Sequence, residues 1–138
     1  MDLVDLSEEA KAKYSGETHF LRGLAYSVLA ETYGGVPIIL TNISTEEARS
    51  LKRASLEETW QQALDDYEVA ITNLGVDAPE PGRATKGAAL GMKMRAYLYQ
   101  GKYKEVLACV EQIDALKKYG LFHSYEACLI RLMRTIRK

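Results

Sequence analysis

No apolar run in the sequence approaches the roughly 18 residues that a membrane-spanning helix needs, so no transmembrane segment is expected. Cysteine is scarce. Cys109 and Cys128 are too few and too irregularly placed for a disulfide framework or a metal site, and Cys109, in the middle of an apolar stretch, reads as a small buried hydrophobe. An excess of one charge is missing as well. A net charge of −1 on 138 residues gives no general basic surface of the kind nucleic-acid phosphates demand, and the basic terminus Arg131, Arg134, Arg137 and Lys138 reads as solvated. The two histidines, His19 and His123, are far apart and sit in no nucleophile or metal motif. His19, ahead of an apolar helix, reads as structural. Asp65 and Asp66 are adjacent, so their side chains diverge on a helix and a carboxylate dyad is not expected. Gly82 to Gly87 lacks the Walker spacing of a phosphate loop. These gaps assign no catalytic residue, no cofactor and no metal ligand, and they point away from an enzyme. The opening Met1-Asp2-Leu3-Val4-Asp5 has neither the basic start nor the apolar core of an export signal, so the chain as given is expected to carry no signal peptide.

What is present is helical. The chain is 47% hydrophobic and 27% charged, an ordinary balance for one domain or a piece of one. Tyr26 and Tyr97 lie about two 34-residue units apart, each in an apolar helix that runs up to a glycine turn, at Gly34-Gly35 and at Gly101. Such an echo points to paired helices of the tetratricopeptide kind. The fold expected is therefore all-α, with antiparallel helix pairs forming an incomplete superhelix.

Ser7-Glu8-Glu9 predicts a helix start, with acids at the positive end of the helix dipole, and Ser15-Gly16 predicts an early stop. A second helix is expected over 17–33, buried on more than one side because Phe20, Leu21, Leu24, Ala25, Val28, Leu29 and Ala30 wrap its circumference. Residues 38–54 form a long connection, its start Ile38-Ile39-Leu40 apolar enough to lie against the protein and its Thr45–Ser50 part a turn or short helix. Ser55 and Glu58 make a capping box. Leu56, Trp60, Ala63, Leu64, Tyr67, Ala70, Ile71 and Leu74 then recur at helical steps up to Gly75. Thr85 caps a fourth helix reaching about Gln100, in which Gly87 and Gly91 share one face and predict the close approach of a neighbouring backbone. Gly101 takes the tight turn into a fifth helix, with Tyr103, Val106, Leu107, Val110, Ile113 and Leu116 on one face and Gly120 as its close. Leu129, Ile130, Leu132, Met133 and Ile136 form only a weak stripe for a last helix over 125–136.

Four phrases within these segments resemble the SusD/RagB family of nutrient-binding outer-membrane lipoproteins. The first runs from Phe20-Leu21-Arg22-Gly23 to Tyr33-Gly34-Gly35-Val36-Pro37-Ile38. The second is Arg53-Ala54-Ser55-Leu56-Glu57-Glu58, continuing to Leu74. The third runs from Gly82-Arg83-Ala84-Thr85-Lys86-Gly87 through Gly101-Lys102-Tyr103 to Val106, and the fourth is Lys118-Tyr119-Gly120-Leu121-Phe122 with Tyr125-Glu126. The resemblance covers roughly residues 7–127. It implies the helical scaffold of a longer protein that holds a glycan or other nutrient over a TonB-dependent, SusC-like transporter, anchored at the cell surface by a lipidated cysteine, which is not expected within the chain as given. It implies further that much of the ligand platform comes from loops elsewhere. The expected division is a repeat region over 1–127, as part of a domain, and an atypical tail over 128–138, where the sequence leaves the family's pattern.

Sugar binding would use exposed aromatic faces. Trp60, Tyr26, Tyr67, Tyr97 and Tyr103 occupy packing positions and read as core, whereas Tyr14 and Tyr33, near helix ends, are the candidates for exposure. No individual ligand contact is assigned. The alternative function is a free-standing tetratricopeptide-like adaptor that holds a protein or peptide in a concave groove.

Overall fold

A computed structural model describes residues 6–121 and 124–126. Five helices follow one another: α1 (Glu8–Tyr33), α2 (Thr45–Ser50), α3 (Leu56–Asn73), α4 (Lys86–Tyr99) and α5 (Tyr103–Ala115). No strand occurs among the described residues.

The caps explain where the helices begin. Ser7, Ser55 and Thr85 each accept a backbone N–H of the first turn of the helix they precede, satisfying donors that a helix start leaves free. Ser55 and Glu58 close a reciprocal capping box, and Ser44 with Glu47 does the same for α2. The helix ends follow the expected chemistry less uniformly. Gly34 (φ 76°) ends α1 and Gly101 (φ 70°) turns the chain between α4 and α5, both in the left-handed region that glycine tolerates. After α5 the left-handed position belongs to Lys117 (φ 50°), so Gly120 is not the closing residue.

The stack is antiparallel at each step. Gly16 lies against Asn73 and Leu74, Gly23 against Ala63 and Tyr67, and Val36 N–H bonds the Thr59 hydroxyl. Numbers rising along α1 thus meet numbers falling along α3. The same inversion relates α3 to α4, through Trp60 against Tyr99, the Glu68–Lys93 ion pair and Lys86 N–H on the Gly75 carbonyl. It relates α4 to α5, since Gly87 meets Tyr119 just past the end of α5. α1 and α4 then run parallel, tied by Glu17–Arg83 at one end and Glu31–Arg95 at the other, as equivalent helices of successive repeats would.

α3 is the spine. One buried cluster joins Tyr26 and Ala30 of α1 to Trp60, Ala63, Leu64 and Tyr67 of α3 and Ala96 of α4. The other joins Ala70, Ile71 and Leu74 to Ala89 and Leu90 of α4. Its two flanks bury against α1 and α4, which is why its apolar stripe is the most regular in the sequence.

Three further expectations are corrected. Ser15-Gly16 does not stop a helix. Gly16 is buried where α1 crosses the end of α3, and a Cβ there would sit 3.0 Å from the Leu74 side chain, so the glycine serves close packing inside one continuous 26-residue helix. Nor is the 17–33 stretch of α1 buried on more than one side. Its buried residues are Gly16, Gly23, Tyr26, Ser27 and Ala30, while Leu21 and Val28 are 62% and 51% exposed. The small face wins because it lets the two backbones approach. Finally, Gly87 and Gly91 do not act together: Gly87 makes room for the Tyr119 ring, whereas a Cβ at Gly91 would meet open space. The last helix expected over 125–136 lies almost wholly outside the described residues.

Candidate functional site

The polar side chains that sequence reasoning weighed for chemistry are held in structural contacts. Asp66, almost fully buried, accepts two-pronged hydrogen bonds from the Arg22 guanidinium at 2.6 Å (Nη2) and 2.9 Å (Nε), and this pairing raises the Arg22 pKa. Asp65 points elsewhere and accepts from Gln61 at 2.8 Å. The His19 ring stays local, its Nδ1 2.7 Å from the Ser15 carbonyl oxygen. His123 lies outside the described residues. Cys109 is buried, and burial pushes its thiol pKa up, away from the thiolate form that reacts or binds metal. Lys93 runs its stem through the core and brings its ammonium to Glu68 at the surface. Among the described residues no cluster of His, Cys, Asp or Glu is arranged to hold a metal ion.

The aromatic residues divide differently from expectation. Tyr67 is fully buried, its hydroxyl 2.9 Å from Ser27 Oγ, and burial raises its pKa. Trp60 and Tyr26 are buried and Tyr97 is half-buried, whereas Tyr103 is 67% exposed. The correction at Tyr103 has a simple cause: α5 turns Val106, Cys109, Ile113 and Leu116 toward α4, and Tyr103 falls on the far side. Tyr14 and Tyr33 are exposed. Tyr26 does more than fill space. Its hydroxyl accepts the Ile39 N–H at 2.8 Å and donates to the Ile39 carbonyl at 3.1 Å, pinning the start of the long connection. The other end is pinned by Arg53, which donates to the Tyr33 and Gly35 carbonyls. The 34–55 loop is thus held against the stack by α1 and by its own arginine.

A concave place lies at each end of α4. A groove of about 390 Å³ lies between the start of α3 and the α4–α5 turn, lined by Leu56, Glu57, Trp60, Gln61, Tyr99, Gln100 and Lys102. Trp60 and Tyr99 stack there with ring centroids 6.4 Å apart, and the Arg95 guanidinium sits 5.3 Å from the Tyr99 centroid. Tyr99 was not singled out from the sequence. Its spacing four residues after Arg95 on one helix was the available signal. An apolar hollow of about 420 Å³, lined by Thr85, Gly87, Ala88, Ile113 and Tyr119, lies at the opposite end of α4.

Comparison with known proteins matches this geometry to one group. A family model named SusD-like and described as starch-binding, associating with outer membrane, matches residues 1–98. The chain belongs to the SusD-like family. A SusD-like protein of known structure from Bacteroides fragilis superposes on it with a TM-score of 0.80 at 33% identity, covering 85% of this chain and 23% of that one. A structure described as a laminarin-binding SusD-like protein superposes with a TM-score of 0.76 at 28% identity, covering 82% of this chain and 25% of that one. SusD-like protein P25 of Formosa agariphila is 26% identical over 131 residues, 91% of this chain and 25% of the relative. The chain therefore spans about a quarter of the length of these SusD-like relatives. What it shares with them is the helix stack.

Proposed function

We propose that this chain is the helical scaffold of a carbohydrate-binding protein of the outer membrane, working beside a TonB-dependent transporter of the SusC type and performing no reaction of its own. The observation that supports the reading most directly is the superposition of 85% of the chain on a SusD-like protein of known structure with a TM-score of 0.80. The physical design suits a frame. α1 and α3 are locked by small residues and by the Arg22–Asp66 pair. The 34–55 connection is clamped at both ends, so segments joined to the stack leave it in fixed directions. The nutrient is proposed to be a polysaccharide of the class represented by laminarin or starch, and the whole protein to be held at the cell surface by a lipid. Within the chain, 1–127 is proposed as the scaffold region and 128–138 as a distinct tail.

The test uses the protein at its own locus. An affinity tag is added, outer membranes are solubilised in mild detergent, and the co-purifying proteins are identified by mass spectrometry. The expected result is a TonB-dependent transporter in near-equal amount, with the complex retarded in gels that contain laminarin or starch. A tagged protein recovered from the cytosol with no transporter would overturn the reading.

A further inference from the structure

The groove between the start of α3 and the α4–α5 turn sets an exposed aromatic ring among polar side chains that together carry no net charge. Glu57, Trp60 and Gln61 line it from the first turns of α3, at the three- and four-residue steps that share one helix face. Tyr99, Gln100 and Lys102 line it from the end of α4 and the left-handed turn at Gly101. The Tyr99 ring is 58% exposed, yet it is held. The buried Trp60 indole lies beside it with the planes 30° apart, and the Arg95 guanidinium stands 5.3 Å from its centroid. The two amides are held as well. Gln61 Nε2 donates to Asp65 and Gln100 Nε2 to the Ala96 carbonyl at 3.0 Å, which leaves each amide oxygen as an acceptor. Lys102 adds an ammonium donor and Glu57 a carboxylate acceptor, and their charges cancel. Walls fixed in advance lose little freedom when a ligand arrives. The volume, about 390 Å³, falls in the range of small-ligand clefts, roughly 300–1,000 Å³.

We propose that this groove binds a neutral oligosaccharide, one sugar ring packing its C–H face on Tyr99 while its hydroxyls exchange hydrogen bonds with Glu57, Gln61, Gln100 and Lys102. A sugar ring has an apolar C–H face and a rim of hydroxyls that both donate and accept. An aromatic ring framed by two amide acceptors, one carboxylate and one ammonium matches both features. An anionic ligand would meet Glu57 and find Lys102 alone in its favour among the lining residues. A purely apolar one would strip water from four polar groups and give back no hydrogen bonds. A second groove of the same volume, beside the start of α1 and the end of α3, sets Glu9, Glu17 and Asp77 against Lys13 and has no aromatic ring among its lining residues, so it offers no such surface. The assignment rests on the carbohydrate-binding role proposed above and goes beyond it, since the helix stack here touches sugar itself as well as supporting the segments joined to it.

Trp60 is the only tryptophan of the chain, so its fluorescence reports on this groove. Titration of the full chain with laminarihexaose and with maltohexaose is expected to change that emission saturably for at least one of them. Tyr99→Ala, at an exposed position, is expected to weaken the binding about tenfold or more. Val28→Ala, exposed on α1 away from the groove, is expected to leave it unchanged. Circular dichroism checks the fold of each variant, and if Tyr99→Ala is misfolded, Gln61→Ala is expected to give the same direction of change. No saturable change with either hexasaccharide overturns the proposal. So does binding that these groove substitutions leave intact, or tighter binding of an acidic oligogalacturonate than of the neutral sugars. Failure here is separable from failure of the broader role. A tagged complex that contains the transporter and is retarded by laminarin or starch equally with and without Tyr99→Ala keeps the carbohydrate-binding role and removes sugar from this groove. Loss of both retardation and transporter removes the role, and the groove assignment with it.

Discussion

The close approach of α1 to α3 can be probed at Gly23. An ideal Cβ at this position would stand 3.0 Å from a Tyr67 ring carbon, 3.1 Å from the Ala63 carbonyl oxygen and 3.1 Å from Asp66 Cβ. None of the three can yield cheaply. Tyr67 and Asp66 are almost wholly buried, the Asp66 carboxylate is held by Arg22, and the Ala63 oxygen belongs to the α3 backbone. Gly23→Val adds two further methyl groups to that contact. Overpacking of this kind costs about 1–3 kcal/mol, and the better helix preference of valine over glycine returns only about 0.3 kcal/mol. The expected net loss is about 1–3 kcal/mol, read as a fall in Tm of roughly 4–12 °C for a chain of this size. Gly91→Ala is the internal comparison. It lies inside α4 with nothing within 4 Å of its added Cβ, so only helix preference acts, and Tm should rise by roughly 2–4 °C, or about 0.5–1 kcal/mol. Thermal unfolding followed by far-ultraviolet circular dichroism reads both. A Gly23→Val protein at least as stable as the parent would refute the packing of α1 on α3 described above, and a destabilised Gly91→Ala would refute the open face of α4.

Other substitutions test other parts of the stack. Trp60→Ala is expected to cost about 3–5 kcal/mol in denaturant unfolding, because Trp60 is buried between α3 and α4; an unchanged midpoint would make it a surface residue. Ser55→Ala removes the α3 cap and should cost about 1 kcal/mol, with an unchanged midpoint contradicting the capping box. Burial raises the Tyr67 hydroxyl and the Cys109 thiol above their ordinary values of 10.0 and 9.0. Groups whose folded pKa is raised hold their full stabilising effect below the unfolded pKa and lose it as pH climbs toward the folded one. Stability should therefore decline from about pH 9 upward. Tyr67→Phe should flatten the part of that decline above the ordinary tyrosine pKa, while starting about 1 kcal/mol lower because Ser27 loses its partner. A decline that Tyr67→Phe leaves unaltered would place the ionising group elsewhere.

Much of the helical order was legible. The Ser55–Glu58 box, the Thr85 cap and the glycines at 34 and 101 are local signals, and local chemistry decides where a helix starts or turns. What was not legible depends on which face meets a neighbour. Leu21 and Val28 look buried in any reading that weighs side-chain size, yet besides Tyr26 the residues that α1 buries are the small Gly16, Gly23, Ser27 and Ala30, because two backbones pack most closely through small residues. Gly16 was misread for the same reason: a glycine that breaks a helix and one that admits a partner look alike until the partner is known. Tyr103, Leu107 and Val110 shared a stripe with Val106 and Ile113 on paper. α4 covers only one flank of that stripe, which no single helix's pattern reveals. The groove at Trp60 and Tyr99 joins residues of two helices, α3 and α4, and so had no contiguous signature.

The antiparallel seam between α1 and α3 is best tested by nuclear Overhauser contacts in the isotope-labelled chain. Cross-peaks from Gly23 Hα to the Tyr67 ring and from Gly16 Hα to the Leu74 methyls are the predicted result. Gly16 near Tyr67 and Gly23 near Leu74, or neither contact at all, would contradict the helix stack on which the family assignment of the fold and the proposed scaffold role both stand.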